Sequence, residues 1–228
     1  MDLLAHRDAD GNVQTLHGHL HSAGDLAESY ESEFSQISRM AALLHDVGKI
    51  AQQFQTYLVS GNGRRGEIPH ARQGAFVVND LPISNEAEEV AKEILELVIA
   101  KHHGELPDCI NEIGDEAFLT GFTESDKLNP KYAYREIKQG LHELDLDLQG
   151  VFRQAVKDVR DFAEQINSMR LSRDSLHFYS GLLVKYVYSR LIDADRTDTA
   201  CFETKEKYHP IRADWLELIC RLDENMKS

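Results

Sequence analysis

Apolar residues recur at helical spacing along most of the chain. Leu16, His19, Leu20, Ala23, Leu26, Ala27 and Tyr30 follow the 3.6-residue period and predict a helix over residues 15–30. His19 lies on its inward stripe, with His17 and His21 flanking it, so the stripe selects His19 among the three. Ile37, Met40, Ala41 and Leu44 predict a second helix over residues 35–46, ending in the pair His45-Asp46. A short helix carrying Phe54, Tyr57 and Leu58 follows. From His70 to Asn79, Gly74, Val77 and Val78 stay near one face, where Gly74 permits close approach between helices.

Val90, Ala91, Ile94, Leu95 and Val98 predict a long helix over residues 85–101. Asn85 and Glu88 stand at capping-box spacing, with an amide in place of the usual hydroxyl. His102 continues that stripe and His103-Gly104 closes it. Two amphipathic helices are predicted over 132–144 and 149–169, with His142 on the outer face. Leu176, Leu183, Val187, Leu191 and Ala194 predict a helix over 172–194. Asp195 lies one turn beyond Leu191 and so faces inward, whereas Asp193 points elsewhere. Trp215, Leu218, Ile219 and Leu222 predict a last helix over 212–225. No convincing alternating run appears apart from short stretches such as Phe76-Val77-Val78. The class read from this pattern is all-α.

Composition narrows the setting. Hydrophobic residues make up 42% of 228, enough for a packed core in one large domain or two small ones. No apolar run reaches the roughly 20 residues of a membrane helix, and the first residues lack a signal-peptide layout. Cys109, Cys201 and Cys220 are scattered and form no CxxC pair, so a reducing cytoplasm is expected. The formal charge of −14 argues against a strong unaided grip on nucleic acid, whose phosphates favour basic proteins. Eleven histidines point instead to metal or acid–base chemistry.

Adjacent helical residues point about 100° apart. His45 and Asp46 can therefore converge only where the helix ends and the backbone turns, and Gly48 permits such a turn. Imidazole and carboxylate together suit a divalent metal. Alone, the pair reads as a helix-end histidine with a capping acid, and an inward Asp195 as an acid paired with arginine. Together, His19, His45, Asp46, His70, His102, His103 and Asp195 would suit two metals sharing one carboxylate, with Asp46 the natural bridge. Lys49 follows the pair, placed either to neutralise a scissile phosphate or to pair with an acid. Arg64 and Arg65 lie in a glycine-rich loop over residues 60–66, which reads either as a phosphate contact or as a solvated loop.

Leu44-His45-Asp46-Val47-Gly48-Lys49, followed by Phe54-Gln55 and Tyr57-Leu58, resembles the HD superfamily of metal-dependent phosphohydrolases. Four further motifs resemble one branch of it: His19-Leu20, Pro69-His70 with Gly74-Ala75, Ala100-Lys101-His102-His103-Gly104-Glu105-Leu106-Pro107, and Leu191-Ile192-Asp193-Ala194-Asp195-Arg196-Thr197-Asp198-Thr199. That branch is the HD nuclease of type I CRISPR interference, fused to or working with a superfamily-2 helicase. The resemblance runs from about Leu16 to Phe202.

The resemblance implies a helical bundle with a metal site where several helices converge. It also implies a single HD nuclease domain over 1–228, with a core over about 16–202. Such a domain cuts single-stranded DNA, as an endonuclease or exonuclease, at a di-metal centre in antiviral defence. Carried over by position, one ion is held by His19, His45, Asp46 and Asp195. The second is held by Asp46, His70, His102 and His103. Asp46 and Lys49 are the expected catalytic residues. The histidines favour Mn, Fe, Co, Ni or Zn, with Mg supporting some activity. The implied partners are single-stranded DNA, the helicase in cis or trans, and an RNA-guided CRISPR surveillance complex, with no membrane. No Gly-x-x-x-x-Gly-Lys-Ser/Thr loop occurs in the chain, which reads as a stand-alone nuclease subunit or the N-terminal domain of a longer protein. The competing readings are an HD phosphohydrolase for nucleotides or cyclic nucleotides and a metal-stabilised docking module without catalysis.

Overall fold

The computed structural model describes residues 2–29, 33–61, 66–107, 122–209 and 219–224. It is mostly helical, as the periodicity predicts. It opens, however, on a small antiparallel hairpin, β1 (Leu4–Arg7) with β2 (Val13–Thr15), pairing Leu4 with Thr15 and Arg7 with Val13. Strands of four and three residues are too short for alternation to stand out from sequence. Gly11 turns the hairpin at φ +86, and Asp8 Oδ1 accepts from the Asn12 amide at 2.8 Å. The stretch Phe76-Val77-Val78 is helical.

The helices are α1 (Leu16–Ser29), α2 (Ser35–Leu44), α3 (Gln52–Ser60), α4 (Arg72–Asn79) and α5 (Glu86–Ala100). They continue with α6 (Glu124–Lys127), α7 (Tyr134–Gly140), α8 (Leu148–Ser168) and α9 (Arg173–Thr204). A tight 3-10 turn, Val47–Ile50, links α2 to α3. The helix predicted over 132–144 is broken into α7 flanked by 3-10 turns at Pro130–Tyr132 and Leu141–Leu144. Of the last predicted helix, residues 219–224 are helical and the remainder lies outside the described residues, as do Arg64 and Arg65. None of the described helices is long and apolar enough to cross a membrane.

Helix α2 is the central element, packed on α1, α5, α8 and α9. Ile37, Met40, Ala41, Ala42, Leu43 and Leu44 are all buried, and the two alanines let neighbours come close. No side chain of its own caps its start. Asp158 of α8 does so instead, its Oδ2 accepting from the amides of Gln36 (2.8 Å) and Ile37 (3.0 Å). Arg190 of α9 donates to the carbonyl of Ala27 in the last turn of α1. In α5, Asn85 Oδ1 accepts from the Glu88 amide at 3.1 Å, so half the capping box forms. The Glu88 carboxylate turns to the amide and hydroxyl of Ser84 instead (2.7 and 2.9 Å).

Helix α4 crosses the end of α2 at backbone contact. A Cβ on Gly74 would stand 2.0 Å from the Leu44 carbonyl oxygen and 2.9 Å from Ile99 Cγ2. That crossing brings His70, just before α4, against the end of α2. Helix α9 runs ten residues beyond the predicted end at Ala194, so Asp195 projects from mid-helix rather than from a helix end.

Candidate metal centre

His45 follows the last residue of α2 with helical backbone angles, and Asp46 leaves the helix at φ −112, ψ 13. The last carbonyls of a helix have no partner within it. The His45 ring meets one, Nδ1–H donating to the Ala42 carbonyl at 2.7 Å. His102, just past α5, does the same to Ile99 at 2.7 Å. His70 Nδ1 donates to Ile68 at 3.0 Å, and His19 Nδ1 to Asp198 Oδ2 at 2.7 Å. In the neutral rings these acceptors place the proton on Nδ1 in all four, leaving Nε2 with a lone pair.

The four lone pairs converge on Asp46. Around its Oδ2, His19 Nε2 and His45 Nε2 each stand at 3.4 Å, and they lie 3.3 Å from one another. Asp195 Oδ1 completes the group, 3.5 Å from His19 Nε2 and 3.4 Å from His45 Nε2. Donor atoms 3.3–3.5 Å apart around a common point stand about 2.1 Å from it, the ligand distance of zinc and similar ions. Around Oδ1 stand His102 Nε2 at 3.5 Å and His70 Nε2 at 3.7 Å, and His103 Nε2 is 2.7 Å from that of His70. The donor atoms of Asp46, His70, His102 and His103 all lie within 4.8 Å of one another. Asp46 Oδ1 and His102 Nε2 are buried, and among the described residues neither has a hydrogen-bond partner. Buried polar atoms are costly without partners. A cation in front of both removes that cost, so the donor set fits a divalent metal.

Electrostatics hold the carboxylates ionised. Burial alone would raise the Asp46 carboxyl, but the adjacent Lys49 and His45 outweigh it and keep it well below the usual range. Burial would likewise raise Asp195, but His45 and His19 together prevail and hold it low. For His45, burial lowers the pKa, but Asp46 and Asp195 prevail and raise it to about 10 in the absence of an ion.

The structure brings together all seven ligand-type residues singled out in the sequence. Lys49 is buried and turned onto the acid: Nζ is 2.6 Å from Asp46 Oδ2 and 3.1 Å from the Ala5 carbonyl oxygen. Gly48 is required for a different reason than expected. Its φ is not positive; instead a Cβ there would lie 2.1 Å from the His70 carbonyl oxygen. His142 carries the same ring-to-carbonyl bond, to Gln139 at 2.6 Å, yet is exposed. The helix-end device alone therefore makes no site; convergence does.

Three residues near the centre were missed. His6 of β1 offers a ring nitrogen within 4.8 Å of the donor atoms of His19, Asp46 and Asp195. Asp198 orients His19 and sits one helical turn after Asp195 on the same face of α9. It was visible in the quoted motif but hidden by placing the helix end too early. Tyr188 donates its hydroxyl to the Gly104 carbonyl, with that of Lys101 at 3.3 Å, pinning the turn that carries His102 and His103 to α9.

The chain matches the HD domain family over residues 18–174, well over half its length, and belongs to that family. It is thus a metal-dependent hydrolase in class. The match ends before Asp195, which the structure nevertheless places 3.4 Å from His45. Among curated proteins, none matches the chain.

Proposed function

We infer that this chain hydrolyses phosphodiester bonds in single-stranded DNA, using two divalent ions, as the nuclease of type I CRISPR interference. The observation that carries the two-ion reading is the split of Asp46. Its Oδ2 faces His19 and His45, which both meet Asp195 Oδ1, and its Oδ1 faces His70 and His102, with His103 against His70. The first set would hold one ion and the second set the other. Bound there, two ions supply an activated water and charge neutralisation at both oxygens of an in-line displacement. Four of the five histidines keep their lone pairs aimed inward through second hydrogen bonds, which fix ring orientation and raise ligand basicity. A donor set this rich in imidazole favours Mn, Fe, Co, Ni or Zn, with Mg weaker. Lys49, held on Asp46 Oδ2, offsets negative charge at the bridging carboxylate.

Exposure supports a polymeric substrate. His103 is exposed and His70 and Asp195 are half-buried, so the centre opens on the surface beside both donor groups. The CRISPR assignment is supported by the motifs around His102-His103 and Asp195. In that reading the charge of −14 leaves DNA delivery to a helicase and an RNA-guided complex. The test is to strip the protein of metal, add circular single-stranded DNA, and return each divalent ion separately. Cutting of the circle is expected. No cutting with any ion, alongside hydrolysis of free nucleotides, would overturn the reading in favour of a nucleotide phosphohydrolase.

A further inference from the structure

The hairpin β1–β2 lies outside the span matched to the HD family and was absent from the expected fold. It nevertheless touches the metal centre twice, once from each strand. From β1, the Ala5 carbonyl oxygen stands 3.1 Å and His6 Nε2 3.3 Å from Lys49 Nζ. With Asp46 Oδ2 at 2.6 Å, these supply one acceptor for each of the three ammonium protons. A buried ammonium needs all three. From β2, Gln14 Nε2 donates to Asp198 Oδ2 at 2.7 Å, the same oxygen that takes the Nδ1 proton of His19.

The hairpin is fixed rather than loosely laid over the site. Gln55 of α3 pairs with both backbone groups of Leu4, each at 2.9 Å, and donates to the Lys49 carbonyl at 2.6 Å. The His6 ring packs edge-on against His19, with centroids 4.7 Å apart, and lies 6.4 Å from that of Phe202 on α9.

We propose that this hairpin is a working wall of the metal centre, with His6 and Gln14 as positioning residues for the first ion. His6 Nε2 accepts a hydrogen bond from the ammonium and so limits how strongly Lys49 competes with the ion for Asp46 Oδ2. Gln14 holds Asp198 on His19, fixing the ring that aims at the same ion. Neither residue reaches the second donor group of His70, His102 and His103, so their effects are confined to one of two sites. The proposal rests on the two-ion reading given above and not on the identity of the substrate.

The test is stepwise binding of Mn²⁺ to the metal-stripped protein by calorimetry, for wild type, His6→Leu, His6→Gln and Gln14→Leu. Two steps are expected for the wild type. In His6→Leu and Gln14→Leu one step weakens, by up to about 10–100-fold, the range of lost outer-shell partners, while the other stays unchanged. His6→Gln keeps an acceptor for Lys49 and restores the weakened step. The melting temperature of each stripped variant reports folding independently. Two wild-type steps that both leucine variants leave unchanged, or weaken equally, would overturn the hairpin's role alone. A single wild-type step would overturn the two-ion reading and the hairpin proposal with it.

Discussion

His70 Nε2 and His103 Nε2 face each other at 2.7 Å, and the His70 nitrogen is a lone pair because its Nδ1 proton goes to the Ile68 carbonyl. A lone pair on His103 Nε2 as well would repel it, so either His103 Nε2–H donates to His70 or a cation stands in front of both. The centre is therefore a place where protons and metal compete. His45, raised to about 10 by its two carboxylates despite burial, is protonated at neutral pH without an ion. Because its pKa is raised, binding must displace that proton, and affinity rises with pH below about 10, by up to about tenfold per unit for one proton. Calorimetry in buffers of different ionisation enthalpy checks the proton count. Affinity flat from about pH 6 to about pH 9 would contradict the competition.

Asp46→Ala removes the one side chain that, among the described residues, belongs to both donor groups. Both binding steps and all hydrolysis should be lost. Lys49, buried, then loses the carboxylate 2.6 Å from its ammonium, which costs about 3–5 kcal/mol of stability. His142→Ala, on the surface, should change neither binding nor melting. Retention of two-step binding in Asp46→Ala would remove the bridging role.

Gly48→Ala and Gly74→Ala separate two kinds of close contact. A Cβ at position 74 meets the Leu44 carbonyl oxygen at 2.0 Å, pushing α4 off α2, so the expected loss is global, about 1–3 kcal/mol or more by denaturant melt. At position 48 the Cβ meets the His70 carbonyl oxygen at 2.1 Å, so the weaker of the two binding steps should be that of the His70 group. Equal effects of both substitutions on the two steps would show that Gly48 does not act through His70.

Tyr188→Phe deletes the hydroxyl that ties the Gly104 carbonyl to α9. One hydrogen bond contributes about 0.5–1.5 kcal/mol, so up to about tenfold weaker binding is expected at the His102–His103 group. The step belonging to His19 and His45 should not move.

Much of this centre was legible because helix ends are. The stripe of α5 runs through Ile94, Leu95 and Val98 to His102, and that of α2 ends at Leu44 with His45-Asp46 beside it, so period alone placed those rings. The end of α9 was misjudged for a physical reason. Beyond Leu191 its inward face carries Asp195 and Asp198, so the apolar period stops where the chemistry starts. A stripe that turns polar while remaining buried looks like a helix end. The hairpin left no usable signal, since its short strands gain meaning only from pairing. Without it, the sequence left Lys49 open between substrate and acid. Ala5 and His6 make the difference, by fixing the ammonium against Asp46.

Helix α9 also dates the centre within the life of the chain. The donors from Asp46 to His103 emerge from the ribosome early. The His19 ring waits for Asp198, 179 residues further on. Domains fold as units during synthesis, N-terminal parts first. A nascent chain that ends before α9 can thus assemble at most one donor group, and the paired centre closes only once Asp195 and Asp198 have been made.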